Sequence, residues 1–296
     1  MSPKYLIINA DDFGMSPEFN IAIKNLLTNG NISSASLMAN GLYYEEAIEL
    51  QKKYNLQNIG IHLTLTRDAF DTTSPLLYNS ISRKKSIEDN NGLLYTNSKD
   101  LYIHAKENDI KREITCQINK IAKDNIIFSH IDNHMYSIIP RMGYYGYKIL
   151  FNALKELRIN RKVGIRIPYN YYNIDNLNYI RSGRKILPYL WINKKFLNLY
   201  SPKYSFAFPY YANNIPSIIE KKKCLENFFK SLKPGVTELH FHPCIYSDNL
   251  KTYNPYWEHR VQEYELLLNI DAKNLRGKYG IILTNWQNLI SKNDNL

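Results

Sequence analysis

Two adjacent carboxylates, Asp11 and Asp12, end the apolar run from Tyr5 to Ala10 in Asn9-Ala-Asp-Asp-Phe-Gly14. Neighbouring residues leaving a strand point in different directions, so one acid can ligate a metal while the other faces substrate as a base. Ser16-Pro17 reads as a helix N-terminus, and capping accounts for Ser16 but not for two acids. His62 lies in the apolar segment Gly60-Ile-His-Leu-Thr-Leu-Thr66, where a lone histidine reads first as a packed core residue. It gains weight from His130-Ile-Asp-Asn-His134, which adds two imidazoles and the Asp132 carboxylate at alternate positions. Alternate residues of an extended chain share a face, so His130, Asp132 and His134 can point together, and not all three need bind metal. Glu238-Leu-His-Phe-His-Pro243 puts His240 and His242 on one face of a later strand. A carboxylate with two histidines and open positions is a recurrent site for a catalytic divalent ion. The late histidine then suits a general acid that protonates a leaving amine.

These residues need a scaffold that brings distant strand ends together. Strands are expected at Tyr5 to Ala10, Ser34 to Met38, Ile59 to Leu65, Ile126 to Asp132, Val163 to Ile167, Val236 to Phe241 and Tyr279 to Leu283. Helices are expected at Glu18 to Asn29, Tyr44 to Tyr54 and, as one long element, Leu101 to Ile121. Alternation of the two implies parallel pairing with right-handed crossovers, hence a barrel or a doubly wound sheet. Asp11-Asp12, His62, His130 to His134, Arg166 and His240 to His242 all fall at or just past the C-terminal ends of these strands, where a parallel barrel builds its site. Two segments break the rhythm: 67–99, rich in Ser, Asn and Asp, and 169–216, dense in Tyr, Asn and Pro with weak helical character around Ile186 to Tyr200. With no repeat and no linker, residues 1–296 read as a single domain carrying these two insertions.

Composition excludes several functions. The net charge of +11 is scattered among separate pairs such as Lys111-Arg112 and Arg184-Lys185, which reads as a solvated basic surface and not as a nucleic-acid interface. No apolar run reaches a membrane span of roughly 18 residues. Met1-Ser-Pro-Lys leads directly into the first strand without a signal-like apolar stretch, and Cys116, Cys224 and Cys244 are too few and too widely spaced for a disulfide framework, so the cytoplasm is expected. Asp12-Phe13-Gly14 matches a kinase triplet, but only eleven residues precede it, and no Walker-type phosphate cradle is present. The tyrosine clusters at Tyr144-Tyr145, Tyr169 to Tyr172 and Tyr210-Tyr211 could stack on sugar rings, but they fit compositional bias as well and carry little weight.

Taken in order, Leu6-Ile-Ile-Asn-Ala-Asp-Asp-Phe-Gly-Met-Ser16, Gly60-Ile-His-Leu-Thr-Leu-Thr66, His130-Ile-Asp-Asn-His134, Gly164-Ile-Arg-Ile167 and His240-Phe-His-Pro243 resemble the five motifs of the YdjC family of carbohydrate deacetylases. The resemblance implies an α/β fold, a distorted (β/α) barrel of the polysaccharide-deacetylase type. It implies a hydrolase that removes an N-acetyl group from an amino sugar or short chitooligosaccharide-like substrate, with Mg2+ or Zn2+ as cofactor and a homodimer as the assembly. By position, Asp12, His62 and His134 match metal ligands, Asp11 the base, His242 the general acid, and Arg166 a group that orients Asp11 or binds substrate. His130, Asp132 and His240 match supports. The chain departs from the family where the third motif usually continues with two further histidines and here reads Tyr136 and Ile138. That leaves the ligand set intact and bears on the pocket lining. The competing readings are a metallohydrolase acting on another amide or ester, and a sugar- or metal-binding protein without catalysis.

Overall fold

The computed structural model describes residues 2–68, 78–138, 145–159, 161–167, 170–173, 178–181, 187–208 and 217–292. The chain opens with β1 (Lys4–Phe13), α1 (Pro17–Thr28), β2 (Ser34–Leu37), α2 (Tyr44–Tyr54) and β3 (Ile59–Leu63). Next come α3 (Ser98–His104), α4 (Glu107–Lys123), β4 (His130–Asn133), α5 (Tyr145–Glu156) and β5 (Val163–Ile165). An antiparallel pair, β6 (Asn170–Asn173) and β7 (Asn178–Arg181), precedes α6 (Leu187–Phe196), β8 (Leu199–Tyr200) and β9 (Tyr204–Ala207). The chain finishes with α7 (Ile218–Ser231), β10 (Gly235–Phe241), α8 (Asp248–Tyr253), α9 (Trp257–Leu268), α10 (Ala272–Tyr279), β11 (Ile281–Leu283) and α11 (Trp286–Lys292).

Parallel pairing orders the main sheet β8-β5-β4-β3-β2-β1-β10-β9. β1 is its centre. One edge of β1 runs along β10 from Lys4 beside Gly235 to Ala10 beside Phe241, and the other meets β11 at Lys4 to Leu6 before passing to β2. The two ends of the path, β8 and β9, are joined by only Ser201, Pro202 and Lys203, which span roughly 14 Å at most. The sheet must therefore curl until its ends nearly meet, which agrees with the barrel expected from the strand-end pattern and with the distorted (β/α) form that the family resemblance implies. Its strands are buried on both faces: Leu6, Ile8, Ile61 and Ile131 alternate with Ile7, Asn9, His62 and His130, and all eight are buried. That is the signature of a parallel sheet lined inside by side chains and covered outside by helices.

Several boundaries differ from those expected. The helix foreseen over Leu101 to Ile121 is broken, because Ala105 and Lys106 are extended. Ser86 accepts from the Lys106 N–H and donates to Asp109, and Glu107 and Asp109 supply the acids that favour a new helix start. β4 begins at His130, and Ile126 to Ser129 approach it as coil in which Ile127 is exposed. Likewise β3 stops at Leu63, β5 at Ile165, and Tyr279 closes a helix instead of opening β11. Ser16 occupies the N-cap of α1, yet its hydroxyl donates to Glu18 and caps no backbone N–H. Part of each insertion lies outside the described residues, as do Tyr144, Tyr169, Tyr210 and Tyr211. In the first insertion, Tyr78, Ile87 and Leu94 are buried, and the segment packs on the barrel. In the second, the weak helix is present as α6.

Candidate active site

A bulge at the end of β1 separates the two acids. Between Ala10 and Phe13 the pairing with β2 shifts by one residue, and Asp12 takes φ 69°, a left-handed conformation that Asp tolerates better than most residues. Asp11 and Asp12 therefore leave the strand toward different partners, as their adjacency suggested.

Asp11 faces Arg166, just past β5. The guanidinium donates to both Asp11 oxygens, Nη1 to Oδ2 at 2.7 Å and Nη2 to Oδ1 at 2.8 Å. Its Nη2 also lies 2.8 Å from Asp132 Oδ2, and its Nε donates to Glu238 Oε1 at 2.7 Å. One buried cation thus holds three buried carboxylates from β1, β4 and β10, a fork geometry that lysine cannot supply. Burial alone would raise Asp11, but Arg166 and then His62 outweigh it and hold the carboxyl well below its usual range. Asp132 is held well below its range too, again by Arg166 and His62 against burial. Glu238, which also accepts from Ser205, is pushed up to about 7 by burial in spite of Arg166.

Asp12 faces two imidazoles. Its Oδ1 lies 3.3 Å from His62 Nε2 and 3.2 Å from His134 Nδ1, and all three side chains are buried. The far nitrogen of His62, Nδ1, is 2.8 Å from Asp132 Oδ1, so Nε2, beside Asp12, is the ring nitrogen that could turn to a metal. Burial would depress both imidazoles. Carboxylates outweigh it, chiefly Asp132 and Asp11 for His62, raised to about 10, and Asp68 and Asp12 for His134, raised to about 9. The pocket they share is thus one that demands a cation. One oxygen and two nitrogen donors converging within 4.8 Å fit a divalent metal. A second grouping, Asp11, His62 and Asp132, meets the same distance test. There the Arg166 guanidinium already supplies the positive charge.

The remaining predicted residues divide by distance. His242 follows β10, its Nε2 3.9 Å from Asp11 Oδ2 and its backbone N–H bonded to Glu263. Burial, then Arg260, lowers it to about 4. His240 binds the Tyr136 hydroxyl through Nε2 at 3.1 Å, so the tyrosine at the departed third motif has its own partner in the site. His130 stands behind the metal cluster, its Nε2 3.6 Å from Asp132 Oδ2. It stacks on Trp286 with ring centroids 4.4 Å apart, and its nitrogens meet Ser129 and Ser36. Ser36 donates in turn to Asp132. His130 and His134 therefore do not share a face: β4 ends at Asn133, and His134 sits in a tight turn whose next two residues, Met135 and Tyr136, have φ near 50°.

Two glycines make room for that stack. A Cβ on Gly60 would fall 2.3 Å from the His130 ring, and one on Gly164 would fall 2.4 Å from the Trp286 ring. Asp11, Asp12, His134, Arg166, His240 and His242 meet at a cavity of about 90 Å3, also lined by Asp68, Tyr136 and Arg260. A larger groove of about 650 Å3 between α7, α9 and α10 is lined by no imidazole, thiol or hydroxyl nucleophile other than the Tyr279 phenol. Chemistry belongs to the smaller cavity.

Three contributors were not singled out from sequence. Glu238 alternates with His240 and His242 on β10, a spacing that marks it for the same face. Asn9, which donates to Asp11 Oδ1 at 2.8 Å, carried a similar clue, alternating with Asp11 on β1. Asp68 lies in a loop of similar residues, and nothing in the sequence distinguished it.

The fold and site define an α/β barrel-like protein with a buried aspartate and histidine cluster able to hold a divalent metal. The YdjC-like protein family model matches residues 5–276, and the chain belongs to that family. It is 25% identical over 283 residues to a carbohydrate deacetylase of Thermoanaerobacter pseudethanolicus, covering 96% of this chain and 98% of that protein. It is 26% identical over 287 residues to a carbohydrate deacetylase of Listeria monocytogenes, covering 96% and 99%. A solved structure from Enterococcus faecalis V583, of a protein assigned to cellobiose-phosphate cleavage, superposes with a TM-score of 0.73 at 22% identity, covering 97% of this chain and 99% of that one. That likeness bears on the fold. Among the described residues no helix is long and apolar enough to cross a membrane.

Proposed function

We propose that the protein is a metal-dependent hydrolase that removes the N-acetyl group from an amino sugar or short oligosaccharide, releasing acetate. The observation that carries this reading is the meeting, at and beside one cavity, of the Asp11 carboxylate locked by Arg166, an Asp12, His62 and His134 cluster able to hold a divalent ion, and the His242 imidazole 3.9 Å from that carboxylate. The full-length carbohydrate deacetylase relatives support the substrate class.

Asp12, His62 and His134 would hold the metal, Zn2+ or Mg2+, which supplies a polarised carbonyl and acidified water. Asp11 needs that help, because a carboxylate held this far below its usual range is a weak base. Its Oδ1 is filled by Arg166 and Asn9, while Oδ2 takes one Arg166 bond and keeps a lone pair on the His242 side. Oδ2 therefore accepts the proton as water adds to the acetamide carbon. His242, neutral beforehand, receives that proton from Asp11 and delivers it to the sugar nitrogen as the C–N bond breaks. Acetic acid and an amine result, the acid's proton passing to the amine to give acetate and an ammonium group, and Asp11 and His242 return to their starting states. The cavity of about 90 Å3 takes an acetyl group and a water of about 30 Å3, so the sugar ring lies at its mouth.

The test is acetate release from a panel of N-acetylated mono- and disaccharides by chelator-treated protein with Zn2+ or Mg2+ restored. Turnover on at least one supports the reading. No turnover across the panel with either metal bound would overturn it, and turnover only on other amides or esters would favour a different metallohydrolase.

A further inference from the structure

His134 stands out among the three metal-facing residues because no strand holds it. It sits in the turn after β4, followed by two left-handed residues, so the sheet does not orient its ring. Something else must. Its Nδ1 faces Asp12 Oδ1 at 3.2 Å, and its Nε2 lies 3.1 Å from Asp68 Oδ2. The same Asp68 oxygen accepts from the Tyr78 hydroxyl at 2.6 Å. Tyr78 is fully buried, and its ring meets the His134 ring edge-on at 6.2 Å. Backbone bonds clamp the surrounding segment, Arg67 N–H to the Tyr95 carbonyl and Leu94 N–H to the Tyr78 carbonyl. Asp68 and Tyr78 are thus delivered to His134 by the insertion after β3, from outside the sheet.

We propose that Asp68 is a positioning residue of the metal site: it accepts the His134 Nε2–H and so presents the Nδ1 lone pair to the metal, with Tyr78 holding Asp68 in turn. The arrangement mirrors the one at His62, where Asp132 accepts from Nδ1 and frees Nε2. Each imidazole of the cluster then has a carboxylate on its far nitrogen, which fixes tautomer and ring orientation and raises ligand basicity. The two carboxylates differ in support. Asp132 is anchored in the sheet by Arg166 and Ser36, whereas Asp68 depends on Tyr78 and a loop. This inference rests on the reading of Asp12, His62 and His134 as ligands.

The experiment separates the two. Zn2+ is titrated calorimetrically into chelator-treated full-length wild type, His134→Ala, Asp68→Ala, Asp68→Asn, Tyr78→Phe and the Asp68→Ala/Tyr78→Phe double variant. The tautomer of His134 in the zinc-loaded protein is read from its imidazole 15N shifts. Expected are a 10–100-fold loss of affinity for Asp68→Ala, a smaller loss for Asp68→Asn, and no further loss on adding Tyr78→Phe to Asp68→Ala. Wild type shows Nε2 protonated, and Asp68→Ala loses that signature. If His134→Ala binds zinc as wild type does, the ligand assignment itself fails. If His134→Ala loses affinity while Asp68→Ala stays within twofold of wild type, the positioning role is overturned and the ligand set stands; if His134 of the zinc-loaded wild type carries its proton on Nδ1, the positioning role is overturned together with the assignment of Nδ1 as the ligating atom. Asp68→Asn and Tyr78→Phe keep the test alive should Asp68→Ala not fold.

Discussion

Arg166→Met removes the one cation that three buried carboxylates share, while keeping most of the side chain's length and apolar stem. Asp11, Asp132 and Glu238 each lie within 2.8 Å of a guanidinium nitrogen, and none is more than slightly exposed. Breaking a buried ion pair by deleting one partner costs about 3–5 kcal/mol, because the other charge is left uncompensated. Three partners do not triple that figure, since orphaned carboxyls take up protons instead. For 296 residues the unfolding entropy is about 0.6 kcal/mol per kelvin, so a loss of this size lowers Tm by roughly 5–8 °C. The pH dependence carries the sharper signature. In wild type, Asp11 and Asp132 are held below their ordinary values, so their contribution is present near neutrality and lost as pH falls. In the variant the same groups are raised, so stability is lost as pH rises, and the gap between the two proteins narrows toward pH 4. Melting curves on chelator-treated protein from pH 4 to 8 measure this. Arg166→Lys should recover only part of the loss, since an ammonium cannot span three carboxylates. A Tm within 1 °C of wild type at pH 7.5, or a gap that does not shrink in acid, would refute the account of Arg166 as the common counter-charge.

Asp11→Asn keeps the shape but removes the proton acceptor, so turnover should fall by about 10²–10⁴-fold. Zinc affinity measured on the same preparation should stay within a few-fold of wild type. The metal-free protein should lose Tm as pH rises from about 6.5 toward 9 or 10, since His62 and His134 have raised values and stabilise the fold only while protonated. Saturating Zn2+ should abolish that decline, and parallel melts with chelator and with metal will tell. Gly60→Ala drives a methyl into the His130 ring 2.3 Å away and should cost about 1–3 kcal/mol in urea unfolding, with Gly277→Ala, which meets nothing within 4 Å, as the matched control.

The parts of the site that strands position were legible in the sequence, because period-two alternation and strand-end location survive in a linear chain. Asp11 and Asp12 separated as adjacent residues at a strand end do, and Arg166 reached Asp11. What the sequence did not show are the features that depend on a distant partner. His130, expected as a support, stacks on Trp286, 156 positions later, and no local pattern announces that contact. Alternation suggested a shared face for His130 and His134, but it lapses where the strand stops at Asn133. Asp68 was invisible because a loop brings it to His134, and loops leave no periodic trace. The break at Ala105 was hidden for a similar reason: its cause, Ser86, lies in a different segment.

The placement of β1 has a consequence for how the protein is made. The strand bearing both acids leaves the ribosome well before two of its neighbours: one edge pairs with β10 and part of the other with β11, more than 200 residues later in the chain. Until residues 235 to 283 have been translated, β1 presents unpaired N–H and C=O groups along an apolar ribbon, a template for association with other chains. Trp286, which props His130 behind Asp132, comes later still. A nascent chain stalled before β10 should therefore carry both acids, His62 and His134 without His240, His242 or a working site, and be prone to aggregation, so productive folding waits on the synthesis of residues 235 to 286.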